Sequence, residues 1–530
     1  MTSAATDLTG TAVLTRFIAH RDRVRIVVWV ASIAALVAVT AASVKGLYPT
    51  QADLDQAALA SNGNAAAIAF NGPAQGLDTV GGEVAFQAGA IGLVMVALMS
   101  LLMVGRLTRG EEETGRLELI RSLPVGSSAP TVAASLTVAA MNVAVGALVT
   151  LTLLALKQPA AGSFTFGVSF TMLGLVFMCL ALVAAQISEN TRVVYGIAGS
   201  VLGASFVVRA IGDIGDGTVS WFSPIGWVQK TRPFAGERWW PFLTTIAAMA
   251  CLLAVAGAFA SRRDLGAGLV QPRPGRRTAS PSLGRPLGLA VRLQRGSLVG
   301  WSLGVLLTAV AYGSIADSID DFVRNNKTLA DMFTAGGASL TQSYLATSLR
   351  ILALLGAGFA IQSTLRLRSE ETLLHAEPLL ATPVSRRRWA MSHLLVACGG
   401  CVVLLTLAGL AVGLSYGLVG GGVGVVPGLL ADALAYVPAM WLMVGITFAL
   451  IGLLPRLVIA AWVFLAVCFI IGLLGGLLGL PGWLMDVSPF DQVPLVPAAP
   501  FKAVPLVILG VLALSLYWAG VIGLRRRDIG

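Results

Sequence analysis

The chain has 530 residues, of which 56% are apolar and only 12% charged, with 60 glycines. A soluble surface needs about a quarter of its residues charged, so this composition excludes an ordinary soluble domain and is that of a membrane protein. The net charge of +10 does not argue for nucleic acid, because the cations sit in short runs between long apolar windows, as the positive-inside rule places them.

About twelve windows approach the roughly 20 residues that cross a hydrocarbon core. They are continuous apolar runs and not alternating segments of about ten residues, so they predict helices, and the fold class is all-α integral membrane rather than a barrel. Ahead of the first window, Leu14 to Arg25 carries Arg16, Arg21, Arg23 and Arg25. It reads either as an interfacial helix or as charge that sets topology. The first window, 26–45, ends in Ala41, Ala42 and Ser43 like a signal peptide, but its counterpart in the second half is internal to the chain, which argues against cleavage. The second window is 85–105, with Glu83 at its outer end.

Next comes the charged segment Arg109 to Pro124. It predicts a short amphipathic helix in which Arg109 pairs with Glu113 and Glu112 with Arg116, four residues apart, while Leu117, Ile120 and Leu123 form an apolar stripe. Windows at 131–152, 166–187, 193–212 and 240–260 follow. A Pro- and Arg-rich stretch, 267–290, reads as a linker. The second set comprises 298–316, 345–364, 391–417, 430–453, 457–480 and 502–523. Arg350 lies about two turns inside 345–364, and either snorkels to the outer surface or serves a pathway or gate. Arg209 and Glu83, near outer ends where water is close, are weaker candidates for the same role. The five cysteines all lie in windows, and Cys398-Gly-Gly-Cys401 reads as small-residue packing in an apolar helix, so no metal site is expected.

The two sets match at an offset of about 260 residues. Glu112-Glu113-Thr114 recurs as Glu370-Glu371-Thr372, Glu118 and Pro124 as Glu377 and Pro383, Arg192 as Arg456, and Ser223-Pro224 as Ser488-Pro489. Arg262-Arg263-Asp264-Leu265-Gly266 matches Arg526-Arg527-Asp528-Ile529-Gly530. The expected organisation is a first six-helix repeat over 1–266, a linker over 267–290 and a second repeat over 291–530. Six spans per repeat make the repeats parallel, with a pseudo-twofold axis along the membrane normal and both termini cytoplasmic. Two related charged loops on one side then point to a twofold-symmetric cytoplasmic partner, with anchoring of the loop arginines to anionic lipid as the plainer alternative. No Gly-x-x-x-x-Gly-Lys-Ser/Thr loop occurs, so the chain is not expected to be an enzyme or to hydrolyse ATP alone.

Arg-x-Glu-Glu-x-x-Gly-Arg-x-Glu-Leu ending at Leu119, its altered copy through Ala376 to Val384, Asn190 to Gly196 and Leu47-Tyr48-Pro49-Thr50 together resemble a family. It is the fused double permeases of actinobacterial ABC-2-type exporters, the polyketide-antibiotic and tetronasin transport group. The resemblance implies a plasma-membrane permease for hydrophobic compounds such as drugs, polyketides or lipids. It would pair with two copies of a separate ATP-binding subunit, which would hold the ATP and Mg; the chain itself would bind no cofactor. By position, Arg109, Glu112, Glu113, Gly115, Arg116 and Glu118, with Glu370, Glu371 and Glu377, would be the coupling elements. The second copy has Leu374-His375 near the place of Gly115-Arg116, with one extra residue. A proton-driven antiporter acting alone and a non-transporting scaffold remain as alternatives.

Overall fold

The computed structural model describes residues 7–61, 65–262, 268–270, 277–316, 339–474 and 481–526. The chain divides into two compact units, Met1–Pro274 and Gly275–Gly530. The described regular structure is helical throughout, and among the described residues eleven helices are long and apolar enough to cross a membrane. The protein is therefore an all-α, multi-pass membrane protein.

Unit 1 runs α1 (Thr11–Arg21), α2 (Arg23–Leu47), α3 (Gln51–Ser61), α4 (Ala65–Asn71), α5 (Val80–Leu107), α6 (Arg109–Glu113), α7 (Arg116–Arg121), α8 (Ala129–Ala155), α9 (Ala160–Ile187), α10 (Thr191–Ile214), α11 (Pro224–Gln229) and α12 (Phe242–Ala260). Helix α5 starts where the Thr79 hydroxyl accepts the Gly82 N–H, satisfying one of the amides that a helix start leaves unpaired. Helices α5 and α9 form the centre of the unit, packed on each other, with α9 also against α8 and α12, and α5 against α2. The outer helices expose apolar residues, Val24, Val27, Val28 and Val39 on α2 and Leu243, Ile246 and Leu253 on α12. Surfaces of this kind are stable against lipid and costly in water.

Unit 2 runs α13 (Pro286–Ile315), α14 (Leu340–Thr372), α15 (Ala376–Leu380), α16 (Arg386–Tyr416), α17 (Val426–Leu434), α18 (Val437–Leu453), α19 (Ala460–Leu474), α20 (Gly482–Met485) and α21 (Ala503–Arg526). Helix α14 opens on a capping box between Ser339 and Gln342. It packs against α16 and α18, while α16 packs along α13 and α18 along α21. The Tyr517 hydroxyl donates to the Trp441 carbonyl at 2.8 Å and meets the Cys398 sulfur at 3.2 Å. Trp441 Nε1 donates to the Cys398 carbonyl, so three helices share one polar junction.

Several expected elements differ. The stretch 430–453 is two helices, α17 and α18, broken at Ala435 and Tyr436 just before Pro438, whose ring lacks the N–H that an unbroken helix would use. The stretch 457–480 is described only as the 15-residue α19, and 475–480 lies outside the described residues. Helix α13 starts at Pro286, inside the expected linker, because proline fits the first helical position. The matching ends 263–266 and 527–530 lie outside the described residues.

Glycine sets the close helix crossings. A Cβ on Gly452 of α18 would collide with the Gly520 carbonyl of α21, and one on Gly146 of α8 with the Gly167 carbonyl of α9, whereas one on Gly399 of α16 meets nothing within 4 Å. Gly452→Ala should therefore cost about 1–3 kcal/mol through overpacking, while Gly399→Ala is neutral or slightly stabilising. Thermal unfolding of the purified chain, read by tryptophan fluorescence, checks both.

Candidate functional site

At one end of unit 1 a single buried carboxylate organises the charged residues. Asp22 occupies the break between α1 and α2, with its side chain fully buried. It accepts from Arg21 at 3.0 Å, Arg25 at 2.7 Å and Arg106 at 2.8 Å. Burial pushes its carboxyl up, but the hydrogen bonds from Arg25, Arg21 and Arg106 outweigh burial and hold it below the ordinary aspartate value. Arg21 also reaches across 90 residues to Glu111, with Nη1 and Nη2 donating to its two carboxylate oxygens at 3.2 and 3.0 Å. The expected basic segment is therefore a helix ending in an ion-pair hub. Of its arginines only Arg16 and Arg23 carry no ion pair among the described residues, and both are exposed.

The segment after α5 is two short helices, not one. They break at Thr114 and Gly115, where Gly115 takes φ +69°, a left-handed conformation that glycine adopts without steric cost. This break separates Glu112 from Arg116, the second of the expected pairs. Arg109, 1% exposed, pairs instead with Glu112 at 2.5 Å and donates through Nε to the Ala185 carbonyl at the end of α9. Glu113, the last residue of α6, bonds to another helix: its Oε1 accepts the Thr191 N–H at 2.6 Å, at the first residue of α10. A carboxylate there satisfies an unpaired amide and meets the positive end of the helix. Arg116 approaches Glu111 at 3.9 Å. Arg116, Glu118, Leu119 and Leu123 are exposed.

Unit 2 repeats this local geometry. Arg368 pairs with Glu371 at 2.8 Å, His375 faces Glu370 at 3.4 Å, and Leu374 takes φ +61°. These match Arg109 with Glu112, Arg116 with Glu111, and Gly115, all 259 residues earlier. Geometry thus pairs Glu111-Glu112-Glu113 with Glu370-Glu371-Thr372, one residue off the register read from the repeated Glu-Glu-Thr string, and no extra residue is needed. Arg366 adds a further pair with Glu370 at 2.5 Å. The carboxylate of Glu113 then corresponds to the hydroxyl of Thr372. Its donor is lost in parallel, because aligning Arg192 with Arg456 sets Thr191 against Pro455, which has no N–H. Glu377 is exposed, in the place of Glu118.

The remaining candidates lie apart from these clusters, and each has a local partner. Arg350 is partly buried, pairs with Asp491 at 2.7 Å and donates to the Gly472 carbonyl at 2.8 Å. Arg209 is fully buried, not near water. It faces Asp213 at 3.6 Å, donates to the Phe70 carbonyl at 3.2 Å and lies 4.5 Å over the Phe206 ring. Glu83 is 2% exposed and accepts from Gln87 at 2.7 Å. A charge kept within apolar helices demands such compensation, which a position along the sequence cannot reveal. Sequence reading missed Asp22, Arg106, Glu111 and Thr191. Asp22 had a signal, being the one acid inside the basic run Arg21 to Arg25. Among the described residues no group of His, Cys, Asp and Glu is arranged to hold a metal.

Two predictions follow from this geometry. Thr191→Pro and Glu113→Thr should each destabilise, and the double variant should cost about 1 kcal/mol less than their sum, since together they recreate the pairing of unit 2. A double-mutant cycle of unfolding midpoints checks it. Because the Asp22 carboxyl is held below its unfolded value, the stability it supplies is complete above about pH 4 and is lost as pH falls through the lowered value. Asp22→Asn should cost about 1–3 kcal/mol near neutrality, the arginines being partly exposed, and should flatten the acid side of a plot of midpoint against pH.

Comparison with known proteins agrees with this architecture. The family described as multidrug efflux system permease Rv1217c, C-terminal domain, matches residues 283–525. The multidrug efflux system permease protein Rv1217c of Mycobacterium tuberculosis is 41% identical over 525 residues, covering 98% of this chain and 95% of that protein. With both charged clusters and nearly every span inside the matched length, the chain belongs to the family of multidrug efflux system permeases.

Proposed function

We propose that this permease is the membrane subunit of an ATP-driven exporter of the ABC-2 type, moving hydrophobic compounds such as drugs, polyketides or lipids. Two copies of a separate ATP-binding subunit, carrying ATP and Mg, dock on it, one on the loop of each unit. The observation that carries the reading is the build of those loops. Each has a base held by an ion pair with one buried partner, Arg109 with Glu112 in one and Arg368 with Glu371 in the other. Each also has an exposed tip of mixed character: Arg116, Glu118, Leu119 and Leu123 in unit 1, and Leu373, Leu374, His375 and Glu377 in unit 2. Leu119 and Leu123, 72% and 59% exposed, are costly to leave in water and serve as anchors in a partner's pocket. A fixed base lets a push on the tip reach the helices. The excess of arginine at these ends supports a cytoplasmic side for both loops and both termini. ABC-2 efflux in the polyketide-antibiotic and tetronasin group, with resistance to the exported compounds, fits the same reading.

One observation favours a second reading, proton-driven antiport. Glu83 is buried, and among the described residues one of its carboxylate oxygens has no partner, a position suited to a proton carrier.

Reconstitution in vesicles with the cognate ATP-binding subunit separates the two. Leu119→Glu with Leu123→Glu should lower ATP-dependent export at least tenfold while leaving the unfolding midpoint within about 0.5 kcal/mol of the parent, as exposed sites do. Undiminished export would overturn the docking assignment. Export without the ATP-binding subunit, abolished by a protonophore and by Glu83→Gln, would establish antiport instead.

A further inference from the structure

A cavity of about 40 Å³ lies in unit 1 beside the first half of α5, at the end of that helix away from the charged loop. Helices α5, α9 and α11 wall it, together with the chain segments 71–75 and 228–233. Its floor is apolar and buried, formed by Phe86, Leu93, Phe166 and Val228. Its rim is polar and half-buried, formed by Asn71, Gln75, Gln229 and Arg232.

The chain leaves these rim side chains unmatched. Among the described residues the Arg232 guanidinium has neither an ion pair nor a hydrogen bond, and the side-chain amides of Asn71 and Gln75 have no partner. Gln229 Nε2 donates to the Asn71 carbonyl at 3.4 Å, but its Oε1, like Arg232 Nε, is shut off from solvent without a partner. A polar atom left in that state costs about 1–3 kcal/mol. Lys230, two residues before Arg232, lies by contrast within electrostatic reach of Asp213 and Asp216. The turn that carries the free cation is also held in a costly shape. Arg232 and Phe234 both take left-handed backbone conformations, at φ +51° and +63°. Each costs a residue with a side chain about 1–2 kcal/mol, and conformations kept at that cost gather where ligands are clamped.

Unit 2 carries no such set. Aligning Ser223-Pro224 with Ser488-Pro489 puts Pro494 and Pro497 in the places of Gln229 and Arg232. The 259-residue offset of the charged loops puts Tyr344 and Ser348 where Ala85 and Gly89 leave room on α5. The cation and the space beside it therefore belong to unit 1 alone and are not required by the repeated sequence.

One unmatched cation calls for one negative charge, neighbouring amides supply donors to its oxygens, and an apolar floor calls for carbon rather than a bare ion. Volume limits the rest. About three water-sized groups fill the cavity, which excludes a drug-sized compound and admits a short one. We propose that this cavity binds a small organic monocarboxylate of roughly two to four carbons. Its carboxylate sits on Arg232 and the rim amides, and its carbon stem lies against Phe86, Phe166 and Val228. The bound acid joins the segment before α5 to the segment after α11. The inference goes beyond export and does not depend on how export is powered.

The test uses the purified full chain in phosphatidylcholine nanodiscs, with butyrate as the probe. Saturation-transfer NMR reads contact between the butyrate stem and the protein, and the unfolding midpoint reads protection as butyrate is titrated. The parent should bind saturably and gain stability. Arg232→Gln should bind at least tenfold more weakly, as the loss of a charged hydrogen-bonding partner does. Its midpoint without butyrate should stay that of the parent, because no group of the chain uses that guanidinium. Arg232→Lys, which keeps the charge, should retain saturable binding. Arg238→Gln, equal in charge change but outside the cavity, should bind as the parent does. Butyramide, which lacks the charge, and chloride, which lacks the carbon stem, should each bind at least tenfold more weakly than butyrate. Equal weakening in Arg238→Gln, equal protection by either substitute, or the absence of saturable binding would overturn the proposal. So would a lower midpoint of Arg232→Gln without butyrate, which would make the chain itself the partner of Arg232.

Discussion

Burying the Asp22 carboxylate at the mouth of an apolar bundle is the constraint from which the charged end of unit 1 follows. A carboxylate without water must be met by cations, and no single partner satisfies its four lone-pair sites. Three arginines from two parts of the chain converge on it. One of them, Arg21, carries the connection on to Glu111 and so draws the loop after α5 against the N-terminal helix. Arg109 and Glu113 then tie the same loop to the end of α9 and the start of α10. The loop is thus fixed at its base by charge pairing, and only its tip remains free to meet something else.

Much of this was legible in the sequence, and the failures share a cause. Long apolar windows state their own length, so the spans of α2, α5, α8, α9 and α10 were found within a few residues. Charged residues were found as well, but their partners were not. Helical spacing suggested Arg109 with Glu113, yet Glu113 accepts from Thr191 of another helix, 78 residues away in sequence. Arg350 could be singled out, but not its partner Asp491, which lies 141 residues away in sequence. Pairings of this kind depend on which helices are neighbours, and no local pattern encodes that.

The repeated Glu-Glu-Thr string misled the register for a related reason. Identity of letters favoured one alignment, while ion pairs and the left-handed turn favour another, one residue away. Leu374 occupies that turn at φ +61° where unit 1 has glycine, so the turn persists even where the side chain makes it costly, by about 1–2 kcal/mol. A conformation kept at such a cost is imposed by its surroundings, here Arg368 with Glu371 before it and a short helix after it.

The loss of Glu113 and of its Thr191 donor in unit 2 does not leave that loop unsupported, because the supporting helix differs. In unit 1, α5 ends at Leu107 and Thr108 breaks the backbone, at φ −112° and ψ −85°, before α6 begins. The loop base there is a separate piece and depends on lateral ties to α9 and α10. In unit 2, α14 runs unbroken from Leu340 through Glu370 and Glu371 to Thr372. Its loop base is the last turn of the long helix and needs no tie to a neighbour. On the proposed reading, a push on the first loop spreads sideways into α9 and α10, whereas a push on the second travels along the axis of α14. The two units therefore meet one mechanical requirement by different means, and the second loop, despite its altered sequence, is the more directly joined to a membrane-spanning helix.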